Sequence, residues 1–486
     1  MVGGRTAFGV LALAVAVVAA VVGLVSAAGI GGGDLPGISL ASVPGDEEPV
    51  AYDSARRGEF EARAATGASH VVFANSPGGA TATAERVARF RDEIEAAASG
   101  SETDPDLLEA MVYLESAGRP EVIAGRDPAL ASGLTQIVAS TGVSLLGMRI
   151  DLSRSRALTR AAQRALTQDK IPKVEKLLAA RARIDERFDP REALEGAVRY
   201  LEIARGRFGA DDLAVVSYHM GIGNLENVIG AYTASNASGG RTGEVVAAND
   251  LTYARLFFDS SPLRNPDAWD LLSGFGDESS EYYWKVLASR EVMRLYREDR
   301  GELRRLERLH AAKATAEEVF HPRTETEAFD DPEELAAGWR DGDVVPIPDG
   351  EELGYVVGEQ LAEVASELEA DPALYRGLRP EALEVLVRMA GWVRVLNGGA
   401  GSLTVTSAVR DREYQRELGN QNPEATDAYS LHTTGWSFDV LRDYESDRQA
   451  GAFQFVLDRL QALGVIDYAV EPEAIHVTVS GQTLSP

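Results

Sequence analysis

The sequence has no cysteine, and only 6 histidines, 6 methionines and 5 tryptophans in 486 residues. The missing thiols exclude disulfides and any lipid-modified cysteine anchor. Positive charge is the second deficit: 48 Lys and Arg stand against 76 Asp and Glu, a formal charge of −28. A surface that negative repels phosphate backbones at ordinary salt, so nucleic acid is excluded as a partner. There is no internal repeat. What remains is 45% hydrophobic and 26% charged, the balance of soluble folded material. The length exceeds the roughly 100–200 residues that one core organises, which predicts two folded units and connectors.

One long apolar run is present. Residues 1–30 read MVGGRTAFGVLALAVAVVAAVVGLVSAAGI, with Arg5 as the single charge. A bilayer-crossing helix takes ~20 such residues, and Arg5 ahead of the run predicts a cytoplasmic N-terminus with everything else outside. The VSAAG end also resembles a small-residue cleavage site, so the segment reads as a signal anchor or a signal peptide. Residues 31–100 are rich in Gly, Ala, Pro, Ser and Glu, with GGGDLPG and NSPGGATATAE as breakers. They predict a linker with little core of its own and one helix from Ala84 to Ala98.

Folded sequence begins at DPDLLEAMVYLESAGRP. Asp104 reads as an N-cap and Pro105 as the first helical residue. Leu107, Leu108, Met111, Val112 and Leu114 then recur at helical spacing up to about Gly118. Glu115 lies beside that stripe. It is either a solvated edge residue or a carboxyl held in a groove, where desolvation raises its pKa and suits it to general acid work. Three further segments follow: ASGLTQIVASTG, a small-residue turn; LAVVSYHMGIGNLENVI, a helix carrying Tyr218 that breaks at Gly221 and Gly223; and ESSEYYWKVLAS.

In this order the four segments resemble the lytic transglycosylase family. The resemblance implies an all-α, lysozyme-like domain over residues 101–300 that acts on peptidoglycan glycan strands. It makes Glu115 the catalytic acid and Ser116 its neighbour in the site. Gln136 becomes a groove contact, and Tyr218 and Tyr282 become hydroxyls near the acid. Such an enzyme cleaves without water: the acid protonates the leaving oxygen, then takes a proton from the muramyl 6-hydroxyl, which closes a 1,6-anhydro ring, while the sugar's acetamido group replaces a second carboxylate. The sequence departs from the family at Thr135, where methionine is usual, and at His219 and Met220, where asparagine and alanine are usual. Between the motifs, Asp151 to Asp189 form a charged helical insertion that either walls the groove or docks a partner.

After Ala288 the sequence predicts a long amphipathic helix with mixed charges, a solvated face on which His310 and His321 carry no chemistry. Residues 301–349 read as a helical and acidic connector, and the domain boundary is expected within its acidic, Pro-containing stretch FDDPEELAAGWRDGDVVPIPDGEE. Residues 350–486 predict a small α+β unit with helices from Glu352 to Glu369 and from Pro380 to Leu396. The strand-like SLTVTSAVRD, the segment YSLHTTGWSFDV, a helix from about Ser446 to Leu463 and the closing strand EPEAIHVTVS complete it.

Ser430, His432, Gly435 and Asp439, followed by Glu473 and His476, resemble the paired signatures of zinc D-Ala-D-Ala carboxypeptidases and dipeptidases. Two imidazoles and one carboxylate leave a fourth position open on a catalytic zinc. The resemblance implies that His432, Asp439 and His476 hold zinc and that Ser430 meets substrate. It also implies that Glu473 is the base and that Arg410 polarises the scissile carbonyl of a stem peptide. Ile475 departs from the tryptophan usual before the last histidine. The expected molecule is therefore multidomain and extracytoplasmic, held at the membrane by its N-terminal segment and remodelling peptidoglycan. The alternative is a non-catalytic wall-binding or scaffold protein with one or both sites degenerate.

Overall fold

The computed structural model describes residues 52–235, 241–276, 278–348, 350–421 and 429–481, together with a short strand pair at Asp34–Leu35 and Ile38–Ser39. The apolar run of residues 1–30, and with it the expected signal anchor or signal peptide, lies outside the described residues. Among those described, no helix is long and apolar enough to cross a membrane. The chain divides into two compact units: Ala68–Ala311, and Met1–Gly67 together with Ala312–Pro486.

The first unit is helical. Its described helices include the second part of α1 (Arg57–Ala74, which the division cuts at Gly67/Ala68), α2 (Ala80–Ala88), α3 (Arg91–Ala98), α4 (Pro105–Ser116), α5 (Leu152–Leu166), α6 (Ile171–Ala182), α7 (Pro190–Phe208), α8 (Asp211–Met220), α9 (Tyr282–Glu298) and α10 (Arg300–His310). Helix α4 starts as its sequence dictates. Asp104 accepts from the Asp106 amide and Pro105 occupies the first turn. Its buried face joins Leu108, Val112 and Tyr113 to Ala193, Leu194 and Ala197 of α7 and to Val292 and Met293 of α9.

The expected linker over residues 31–100 is not a tether from Arg57 onward. Helices α1 to α3 fill it, and Val72, Phe73, Ala80, Ala84, Val87 and Ile94 belong to that same core. The alanines responsible, Ala80 and Ala84, are fully buried because their small side chains allow close helix packing. A composition rich in Ala, Gly and Ser hid this.

The second unit has a five-stranded sheet: β1 (Tyr355–Val357), β2 (Leu403–Ser407), β3 (Ser437–Leu441), β4 (Ile466–Val470) and β5 (Ala474–Val479), in spatial order β1-β2-β3-β5-β4. All neighbours are antiparallel except β1 with β2. Helices α11 (Pro380–Leu396) and α12 (Asp447–Ala462) pack on each other and on the sheet, burying Phe438, Val440, Ile475 and Val477. Side chains alternate across a strand, so Asp439 and His476 point to the opposite face.

Two expectations fail here. No helix spans Glu352 to Glu369; β1 and short 3-10 turns occupy that stretch. Gly354, at φ +95°, turns the chain into β1, and the β-branched pair Val356–Val357 favours extension. The boundary also lies earlier than expected, at Ala311/Ala312. Residues 301–310 belong to the helical unit through Leu303. Phe329, Leu335 and Val344 pack with Val409, Tyr414 and Leu418 in the second unit.

Candidate active site and candidate metal centre

In the helical unit, Glu115 sits one residue from the end of α4, which closes on Ala117 in a left-handed conformation. The carboxyl lies in a cleft of about 260 Å³ whose walls include Val72, Ser76, Tyr113, Ser116 and Lys285. Burial is the main influence on it. It raises the Glu115 pKa to about 7 against the opposing effect of a hydrogen bond from the Tyr282 hydroxyl to Oε1, 2.7 Å long. Tyr282 is itself pushed well above its ordinary value by burial and by the Glu115 charge. Its hydroxyl therefore stays protonated and donates to Glu115. The His219 ring stacks on Tyr282 at 5.1 Å and bonds through Nδ1 to the Ser279 hydroxyl at 2.9 Å.

The remaining residues expected in this site bond to backbone carbonyls, and Tyr218 stands near enough to the acid for the Glu115 charge to add to burial in raising its pKa. The Tyr218 hydroxyl donates to the Thr135 carbonyl at 2.7 Å, holding the small-residue turn. Gln136 lies in that turn at φ +49°, and its amide nitrogen donates to Gly133 O at 2.8 Å and Val122 O at 3.4 Å. The Ser116 hydroxyl is buried and donates back along α4 to Val112 O at 3.2 Å. Behind the turn stands Arg187, fully buried, which donates to Pro128 O, Leu130 O and Ile137 O and pairs with Asp185 at 2.8 Å. No motif pointed to Arg187.

In the second unit, His432, Asp439 and His476 gather so that one ligand atom from each lies within 4.8 Å of the other two. Strand register does most of this, since Asp439 on β3 faces His476 on β5. His432 arrives from the turn before β3 and is fixed by Nδ1 donating to Ala408 O at 2.9 Å. Burial pushes His432 toward its neutral form. Its bare Nε2 then faces Asp439 Oδ1 at 3.2 Å, two acceptors with no proton between them. His476 Nδ1 lies 2.8 Å from the same oxygen. A tetrahedral ion with bonds of ~2.0–2.1 Å spaces its ligands about 3.3 Å apart; the donor set fits zinc in type, and its separations from Asp439 Oδ1, 3.2 and 2.8 Å, lie near that spacing.

The residue that sequence reasoning missed is Glu317, in the short helix Glu317–Phe320. Its Oε1 accepts from His476 Nε2 at 2.6 Å and from the Thr478 hydroxyl at 3.2 Å, and Lys313 pairs with its other oxygen at 2.6 Å. Burial opposes charge on both His476 and Glu317. Their mutual bond, with Asp439 and Lys313, prevails and moves His476 up to about 10 and Glu317 down to about 2.

Arg410 lies 3.8 Å from Asp439 Oδ2 and is tied to Gln415 Oε1 at 2.9 Å and to the Ser407 hydroxyl. Gln415, Ser430 and Thr433 also line a cleft of about 460 Å³ with Arg323, Arg412 and Arg416. Glu473 is not drawn into the cluster. It is exposed in the bend before β5, and among the described residues its carboxylate has no hydrogen bond or ion pair.

No curated protein sequence matches the chain. Residues 166–238 match the family described as Transglycosylase SLT domain, a segment that runs from the end of α5 past α8 and the helix Ile222–Thr233 and carries Tyr218. Over that segment the helical unit is similar to the peptidoglycan-cleaving transglycosylases, while Glu115, Gln136 and Tyr282 lie outside the match.

Proposed function

We propose that the helical unit is a peptidoglycan lytic transglycosylase with Glu115 as its acid and base. One observation carries the reading: a carboxyl held near pKa 7 in a cleft, with Tyr282 donating to it at 2.7 Å. A group poised there is protonated often enough to donate to the glycosidic oxygen and basic enough afterwards to accept the 6-hydroxyl proton. Glu115 first gives up its proton as the sugar–oxygen bond breaks. The Tyr282 hydroxyl then stabilises the carboxylate left behind. That carboxylate takes the proton of the 6-hydroxyl as its oxygen closes on the anomeric carbon, which returns Glu115 to its starting state. The SLT match over residues 166–238 supports this substrate class.

For the second unit we propose zinc-dependent cleavage of stem peptides. His432, Asp439 and His476 would hold the ion, which supplies Lewis acidity when bound. Arg410, beside Asp439, would meet a developing oxyanion. The arginine-lined cleft next to Ser430 suits an acidic peptide, because guanidinium groups bind carboxylates in a bidentate fork. One observation favours a metal-holding but non-catalytic module instead, namely the exposed and unpartnered Glu473.

Digestion of purified peptidoglycan by the protein, with products identified by mass spectrometry, tests both parts. Release of 1,6-anhydromuramyl ends that is lost in Glu115→Gln supports the first, and reducing-end muramic acid as sole product overturns it. Shortened stem peptides that vanish with chelator support the second. Intact stems from the zinc-loaded protein leave a binding module.

A further inference from the structure

Within the helical unit, positive charge is concentrated on one hairpin. Residues 152–183, the hairpin of α5 and α6, carry nine Lys and Arg against Asp169 and Glu175, a net +7 in a chain whose total is −28. Arginines elsewhere in the helical unit are mostly paired, as Arg191 is with Glu195 and Arg294 with Glu291 and Glu298. On the hairpin, Arg160, Arg164, Lys170, Lys173, Lys176 and Arg183 are exposed and have no acid within 4 Å among the described residues. The arms pack chiefly on each other through Ser155, Thr159, Ala162, Ala165 and Arg181, and every residue from 166 to 173 is exposed. At that tip stand Leu166, 57% exposed, and Ile171, 45% exposed.

Unpaired cations around two bare aliphatic side chains form a surface that neither water nor a polar polymer satisfies in full. Water leaves Leu166 and Ile171 uncovered, and an anionic polysaccharide covers the charge without burying the apolar tip. An anionic bilayer surface does both: its headgroups attract the lysines, and the acyl boundary lies ~5–10 Å below for the aliphatic groups. We propose that the α5–α6 hairpin docks on an anionic lipid surface, with Leu166 and Ile171 inserted and Lys170, Lys173 and Lys176 at the headgroups. The proposal is independent of the catalytic reading, since the hairpin contributes no residue to either site.

The absence of cysteine supplies the test. Full-length protein carrying Gln168→Cys takes an environment-sensitive fluorophore at the tip alone, and Ser273→Cys, exposed on another helix, gives a control. Vesicles of phosphatidylcholine with phosphatidylglycerol should shift the tip probe to the blue and leave the control unmoved. High salt should weaken the shift, because exposed charges are screened. Reversal of three cations in Lys170→Glu/Lys173→Glu/Lys176→Glu should raise the lipid needed for half-maximal shift by roughly a hundredfold. Leu166→Ser/Ile171→Ser should abolish the shift itself. An equal shift with pure phosphatidylcholine, or none with either vesicle, overturns the proposal. The same shift from a soluble polyanion without lipid also overturns it, and assigns the hairpin to an anionic polymer.

Discussion

Glu317 Oε1 and His476 Nε2 lie 2.6 Å apart although 159 residues separate them in the chain. The bond holds the ring so that Nδ1 faces Asp439, as the Ala408 carbonyl holds His432 so that Nε2 does. Outer carboxylates of this kind typically tune metal affinity by 10–100-fold. Glu317→Ala should therefore weaken zinc binding by roughly that factor, measured by competition with a chromogenic chelator, while His432→Ala should remove it. Glu317→Gln, which keeps an acceptor oxygen, should fall between the parent and Glu317→Ala. Affinity unchanged in Glu317→Ala would mean that the imidazole is oriented by Asp439 alone.

The Tyr282 hydroxyl opposes the effect of burial on Glu115. Glycan cleavage needs Glu115 protonated at the start, so kcat/KM should fall as pH rises through about 7. In Tyr282→Phe the carboxylate loses its donor, so this alkaline limb should move to higher pH while the rate drops at every pH. A pH–rate profile of anhydromuramyl release reads both effects. A limb that stays in place would assign the titration to another group.

Burial of Glu115 also has a stability consequence with a definite sign. Its folded pKa of about 7 lies above the unfolded value of 4.5, so its favourable contribution is fully present below pH 4.5 and is lost as pH rises through 7. Glu115→Gln carries no charge to desolvate and can still accept from Tyr282. The variant should therefore melt higher than the parent at pH 8, with a difference of up to about 3 kcal/mol, and equally at pH 4. Identical melting at both pH values would show that the carboxyl is freely hydrated.

Elements specified by their neighbours in sequence were legible. Asp104 and Pro105 announced α4, and the strand-like segment SLTVTSAVRD announced β2. The placement of His432, Asp439 and His476 was also accessible, because a motif before one strand and another within its partner converge once those strands pair. Elements that depend on distant packing were not. Helices α1 to α3 look like a tether until Ala80 and Ala84 meet α4 and α9, and Gly354 converts an apparent helix into a turn and strand. Glu317 carried no local signal at all, since its partner lies on the last strand.

The turn bearing Gln136 depends on Arg187 in the same non-local way. This guanidinium is fully buried, donates to three carbonyls between Pro128 and Ile137, and pairs with buried Asp185, which also accepts from Ser155 at 2.7 Å. The turn is pressed close: a Cβ at Gly133 would collide with the Arg187 carbonyl. Arg187→Met removes the donors and leaves Asp185 charged without its partner, which typically costs about 3–5 kcal/mol. Arg187→Met/Asp185→Leu removes the stranded charge and should recover part of that loss, although the three carbonyls stay unsatisfied. Urea denaturation of the two variants separates the contributions. If the double variant is no more stable than the single one, the carbonyl contacts rather than the ion pair hold the turn, and glycan cleavage should then be equally impaired in both.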